Sequence, residues 1–211
     1  MGDFERDLDL LLTKLRSGLE KDMEEKLNTL RDRLIQLREQ NVVKINHTVM
    51  ELVCAKHLIL KGYDVDVERP INGGLTCDLC GMKGYGTLII EVETGFVPPQ
   101  HALDPMTYCK ARIASKISRY SNYADKFVLG TPPHYIIQIP PAFTKAPRYR
   151  SLEELKEIKR LCDLYYKNPP VSLNEIRNAR LHSIYVINVE TLTTREKDPS
   201  SYSGNTTFWR Y

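Results

Sequence analysis

Cys77-Asp78-Leu79-Cys80 and, beyond a glycine-punctuated run, Leu88-Ile89-Ile90-Glu91-Val92-Glu93 are two apolar stretches with acidic residues set inside them. Short runs rich in Leu, Ile, Val and Cys, bounded by Gly73-Gly74 and Gly81…Gly84, read as buried strands joined by a turn. An ionised carboxylate removed from water is strongly unfavourable unless it is paired, hydrogen-bonded or bound to a metal, so Asp78, Glu91 and Glu93 are the first candidates for chemistry. Side-chain alternation puts Glu91 and Glu93 on one face of their strand, and Asp78 on a face with Thr76 and Cys80. If the two strands form a hairpin, three carboxylates converge.

Outward from this pair, residues 46–61 hold Val49, Met50, Leu52, Val53, Ala55, Leu58, Ile59 and Leu60, an apolar helix that stops at Gly62. Glu51 is the only acidic residue between 45 and 63, with Ala55 and Leu58 on its own helical face. Alone it reads as a carboxylate at a helix edge. Beside Asp78, Glu91 and Glu93 it completes a set of four acidic groups, the hard oxygen donors that Mg²⁺ or Mn²⁺ prefers.

The remaining elements follow in order. Tyr63 to Glu68, Leu75 to Cys80 and Gly86 to Glu93 are expected strands, then come a helix over about 106–123 and a buried strand at Lys126–Gly130. Ser151-Leu152-Glu153-Glu154 and Ser172-Leu173-Asn174-Glu175 are capping-box sequences that open later helices, and Ser183 to Glu190 is a further strand. The class is α/β, with an αβββαβ core in a domain spanning 45–194. Residues 195–211, ending in Phe208-Trp209-Arg210-Tyr211, are expected to be a loosely ordered tail or an interface strand.

Residues 1–44 read as a separate helical arm of coiled-coil type. Apolar positions at Phe4, Leu8, Leu11, Leu15, Leu19, Met23, Leu27, Leu30, Leu34 and Leu37 recur every 3.67 residues on average, without proline. One helix over 3 to about 40 cannot bury such a stripe alone. Either a second copy covers it, giving a homodimer, or the arm folds back on its own domain. The break between arm and core is expected at Asn41 to Ile45.

With 211 residues, 42% of them hydrophobic, the chain has the composition of a globular protein, and no stretch is apolar enough to span a membrane. The first residues lack a signal peptide's pattern, so a cytoplasmic location is expected. A net charge of +3 does not by itself announce nucleic acid. The excess lies at the C-terminal end, where 144–211 carry 12 basic and 8 acidic side chains, and the helix near 105–123 carries Lys110, Arg112, Lys116 and Arg119 with no acid. Five cysteines fit mostly reduced thiols. Cys77-x-x-Cys80 has no second ligand pair and would point to opposite faces of a strand, which argues against zinc. No phosphate loop is read at Gly81–Gly86, and none of the five histidines shows paired spacing; His47 reads as a helix-start residue.

Helix-borne Glu51, strand-borne Asp78, Ile90-Glu91-Val92-Glu93, then a basic helix and an apolar strand together resemble the PD-(D/E)XK nuclease superfamily over about residues 45–135. The pattern is particularly similar to archaeal Holliday-junction resolvases and to nuclease-like proteins of Sulfolobus spindle-shaped viruses. The resemblance implies a restriction-endonuclease-like fold with a mixed sheet, and Mg²⁺- or Mn²⁺-dependent cleavage of DNA, branched DNA included. It makes Asp78 and Glu91 metal ligands, with Glu51 bound directly or through water, and for a viral protein it places the site of action in the host cytoplasm. The chain departs from the pattern at Glu93, which stands where the family places lysine. Either Glu93 holds a second ion, or a cation arrives from the basic helix. There Ile113, Ile117, Tyr120 and Ala124 should face the sheet, leaving Lys116 at the margin as the relocated lysine and Arg112 as its substitute. Lys110, Arg112, Arg119, Lys145, Arg148 and Arg150 are candidate contacts to the DNA backbone, with Tyr149 stacking on an exposed base. The alternative is a protein of this fold that has lost hydrolysis and binds nucleic acid or a partner through its arm.

Overall fold

The structure, a computed structural model, describes residues 3–40, 45–71 and 74–206. In chain order the elements are α1 (Asp3–Arg16), α2 (Lys21–Glu39), α3 (Ile45–Leu60), β1 (Asp64–Ile71), β2 (Leu75–Lys83), β3 (Gly86–Val92), α4 (Pro105–Tyr120), β4 (Lys126–Thr131), α5 (Leu152–Asp163), α6 (Leu173–Asn178), β5 (Ser183–Asn188), β6 (Thr193–Lys197) and α7 (Pro199–Thr206). The six strands form one mixed sheet in sequence order. β1, β2 and β3 are antiparallel neighbours, β3, β4 and β5 run parallel, and β6 returns antiparallel to β5. Parallel neighbours need crossovers, which α4 supplies between β3 and β4, and α5 with α6 between β4 and β5.

Alternation along the strands divides two cores. Val67, Leu79, Leu88, Ile90, Val92 and Val128 pack towards α1, α2 and α3. Ile89, Phe127, Leu129 and Ile184 pack towards α4, α5 and α6, against Ile113, Ile117, Leu155 and Ile158. Ser151 and Ser172 cap α5 and α6 in complete capping boxes.

Three expectations are corrected here. The arm is not one helix: it turns at Gly18, whose φ of +79° is open to glycine without the penalty a Cβ brings. α1 and α2 then run antiparallel, tied by Arg31 to Asp9 at 2.7 Å and by Arg16 to Asn28 at 3.1 Å. Leu8, Leu12, Leu15, Leu27, Leu30, Leu34 and Leu37 are buried in one cluster with Met50, Val53 and Leu58 of α3. The stripe is thus covered within the chain, which removes the reason for a second copy to cover it. The expected break at Asn41 lies outside the described residues. Second, 195–211 is not a loose tail throughout, since residues up to Lys197 complete β6 and 199–206 form α7; the terminal Phe208-Trp209-Arg210-Tyr211 lies outside the described residues. Third, β2 does not stop at Cys80 but runs through Gly81, which accepts Tyr63 and Leu58 close against its missing side chain.

Because Leu34 is wholly buried, Leu34→Ala should lower the unfolding free energy in urea by about 2–5 kcal/mol. Leu10→Ala, at a site 60% exposed, should change it by less than about 0.5 kcal/mol. Equal effects would mean that the hairpin does not pack on α3.

Candidate metal centre

The ladder between β2 and β3 runs from Lys83 opposite Gly86 to Leu79 opposite Ile90. The next pair in that register is Asp78 and Glu91, and here side chains replace the backbone ladder. The Asp78 amide donates to Glu91 Oε1 at 3.1 Å, and the Val92 amide donates to Asp78 Oδ2 at 2.6 Å. Each carboxylate therefore holds the opposite strand, and the two strands part with their acids between them. On the other side of β2 the pairing with β1 omits Glu68, which would oppose Asp78 and has φ +47°. A glutamate in the left-handed region carries backbone strain, of the kind that collects at functional sites.

α4 delivers the cation. Ile113 and Ile117 are fully buried against the sheet, and between them Lys116 reaches the acids. Its Nζ lies 2.8 Å from Glu93, 3.0 Å from Glu91 and 3.9 Å from Asp78, and donates to the Val92 carbonyl at 3.4 Å. Arg112, one turn earlier, pairs with the second oxygen of Glu93 at 2.9 Å and donates to the Phe96 carbonyl. Glu93 is thus bridged by two cations, and it fixes Lys116 in place.

α3 closes the other side. Glu51 is fully buried, and neither carboxylate oxygen has a hydrogen-bond partner among the described residues. Ligand atoms of His47, Glu51 and Asp78 lie within 4.8 Å of one another. His47 and Glu51 stand one helical turn apart and so share a face. These residue types could hold a divalent ion: the buried Glu51 oxygens are relieved by a proton or by a cation, and one imidazole with carboxylates suits Mn²⁺ at least as well as Mg²⁺.

The electrostatics follow from crowding. Burial first, then the charges of Asp78, Glu68 and Glu91, raises the Glu51 carboxyl well above its ordinary range. Glu91 is pushed up to about 8 by burial and by Asp78, against the pull of Lys116. Glu68 is pushed up to about 7 by burial and then Asp78. Burial works against the charge on Lys116, but Glu91, Glu93 and Asp78 outweigh it and hold the ammonium well above its usual value.

Thus Glu51, Asp78, Glu91, Glu93, Lys116 and Arg112 meet in one place. The other sequence candidates do not. Lys110 is exposed on α4. Arg119 donates to the Pro169 carbonyl and lies over Tyr166. Lys145 pairs with Glu154. Arg150 is a correction: it is buried, and it donates to the carbonyls of Ala142, Ile176, Arg177 and Lys145, so it clamps loops together and has little left for DNA. Cys77 and Cys80, expected on opposite faces, both join the α4-side core, because the strand's alternation breaks at Asp78. Sequence reasoning missed His47 and Glu68. The four-residue step from His47 to Glu51 was the available signal for the first; nothing in the sequence marks the strained backbone of the second.

Comparison with protein-family models, with curated proteins and with solved structures finds no match.

The raised carboxyls set a pH dependence. Their ordinary value is 4.5, so the folded state without metal holds more protons than the unfolded one between about 4.5 and 8. Their stabilising contribution is complete below that window and is lost as pH rises through about 7 and 8. The thermal midpoint without metal should therefore fall from pH 5 to pH 8, and added Mn²⁺ should raise it more at pH 8 than at pH 5, since the ion displaces those protons. A Mn²⁺ shift that is equal or larger at pH 5 would contradict this site.

Proposed function

We propose that the chain is a metal-dependent hydrolase of phosphodiester bonds in DNA, of the restriction-endonuclease-like type. The observation that carries this is the meeting of Asp78 and Glu91 across the parting of β2 and β3, with Lys116 Nζ at 3.0 Å from Glu91 and the orphaned Glu51 carboxylate behind them. The element order α3-β1-β2-β3-α4-β4 supports it, as it matches the αβββαβ order implied by the sequence resemblance.

His47, Glu51 and Asp78 would hold the ion, beside Glu91, whose oxygens are held by the Asp78 amide and by Lys116. When bound, a divalent cation supplies a water of lowered pKa and neutralises charge developing on the attacked phosphate. Lys116 takes the part of the missing motif lysine: its ammonium is a fixed positive charge beside the ligands, positioned by Glu93 and the Val92 carbonyl. Arg112 holds Glu93 from the other side and ties it to the loop at Phe96. A bound cation would offset the negative charge of the cluster and draw in a phosphate backbone, so substrate binding would depend on metal. Lys110 on α4 is exposed, and Phe96, 59% exposed in the loop after β3, is tied to the site through Arg112; both would be candidate contacts to DNA. Branched DNA is the leading substrate, from the resemblance.

Labelled four-way junction, duplex and single-stranded DNA, each incubated with Mg²⁺ or Mn²⁺, test the reading. Cleavage of at least one substrate is expected, abolished in Asp78→Ala and Glu91→Ala and reduced about 10²–10³-fold in Lys116→Met. Absence of cleavage in both ions, or activity retained in Asp78→Ala, would contradict hydrolysis; DNA binding without cleavage would leave a binding protein of this fold.

A further inference from the structure

A second feature shares no residue with the carboxylate site. Residues 143–148, Arg150 and residues 180–182 line an open cavity of about 500 Å³, among them Phe143, Lys145, Arg148, Arg180 and His182, and no acidic residue lines it. It lies by the far end of α4 from Arg112, where the Arg180 amide donates to Ser121, the residue that follows the helix.

The cations lining it have different duties. Arg150 is the wall, its donors committed to carbonyl oxygens, and Lys145 is paired with Glu154. Arg148 and Arg180 are exposed and form no ion pair among the described residues. Arg148 is held over the ring of Tyr149, 4.8 Å from its centre. The His182 Nδ1 accepts from the Phe127 amide at 3.0 Å, which leaves Nε2 as the protonated donor. Burial lowers the proton affinity of Arg150, with Glu154 opposing and Arg180 adding to the effect; it also lowers that of His182, against the Phe127 hydrogen bond and together with Arg180 and Lys126. Like charges gathered round an apolar wall of Phe143, Pro147 and Leu181 oppose one another unless an anion enters. The volume falls in the range of small-ligand sites.

We propose that this cavity binds a phosphate monoester, with Arg148 and Arg180 as charged donors, His182 Nε2 as a third, and the apolar wall against the organic part. The group is either the phosphate of a free nucleotide or the terminal phosphate of a nucleic-acid strand. This does not rest on the hydrolytic reading, and a chain that cleaves nothing would keep the site.

Isothermal titration of the full chain in EDTA at constant ionic strength separates the cases, since EDTA removes any binding through metal. The ligands are inorganic phosphate, a nucleoside monophosphate, and one oligonucleotide with a 5′-phosphate or a 5′-hydroxyl. One-to-one saturable binding of a phosphorylated ligand is expected, weakened at least about tenfold in Arg148→Ala/Arg180→Ala, the loss of a charge-assisted bond. Both side chains are exposed, so the variant should keep its fold, checked by circular dichroism. Lys21→Ala, on the remote helix α2, should bind unchanged. Tighter binding of the monophosphate assigns a free nucleotide; tighter binding of the 5′-phosphorylated over the 5′-hydroxyl strand assigns a strand end. Binding that does not saturate, or that the double variant retains, overturns the proposal.

Discussion

Too many acids for one base in a dry corner of the sheet is the constraint on which this structure turns. Glu51, Glu68, Asp78, Glu91 and Glu93 crowd round Lys116, and Arg112 answers only Glu93. Lys116 satisfies Glu91 and Glu93 at hydrogen-bonding distance, but stands 3.9 Å from Asp78 and leaves the Glu51 oxygens without a partner among the described residues. The two ways out are to take up protons near neutral pH or to take up a cation.

The fold supplies that corner by parting two strands. Had β2 and β3 continued their ladder past Leu79 and Ile90, backbone groups would have occupied the position where Asp78 and Glu91 now exchange side-chain bonds with the opposite amides. The opening is bracketed by α3, which brings His47 and Glu51, and by α4, which brings Lys116 and Arg112. Both helices are fixed by large apolar faces, α3 beneath the α1–α2 hairpin and α4 against Phe127 and Leu129. A local polar conflict is thus held by packing on both sides of the sheet, and the hairpin contributes at a distance by pinning α3.

Much of this was legible in the residues themselves. Acids inside apolar strands marked Asp78, Glu91 and Glu93, because the cost of burying charge does not depend on knowing the fold. The spacing of Ile113 and Ile117 placed Lys116 at the edge of a buried face for the same kind of reason. What the chain hid was relational. Leucine spacing runs unbroken from Leu15 through Leu19 to Met23, and a glycine inside a helix costs only about 1 kcal/mol, so Gly18 did not announce a turn. Arg150 looks like any surface arginine until four carbonyl oxygens are seen round it. The partners of His47 depend on how α3 sits over β2, which no periodicity encodes. The family-level reading therefore rests on the resemblance together with this geometry.

The most direct measurement is anomalous diffraction at the manganese edge from crystals of the chain soaked in Mn²⁺. The account expects one ordered peak bounded by the side chains of His47, Glu51 and Asp78, with the Lys116 ammonium retained against Glu91 and Glu93. No peak there, together with Glu51 turned to a protein partner of its own, would contradict the claim that this corner exists to hold a cation.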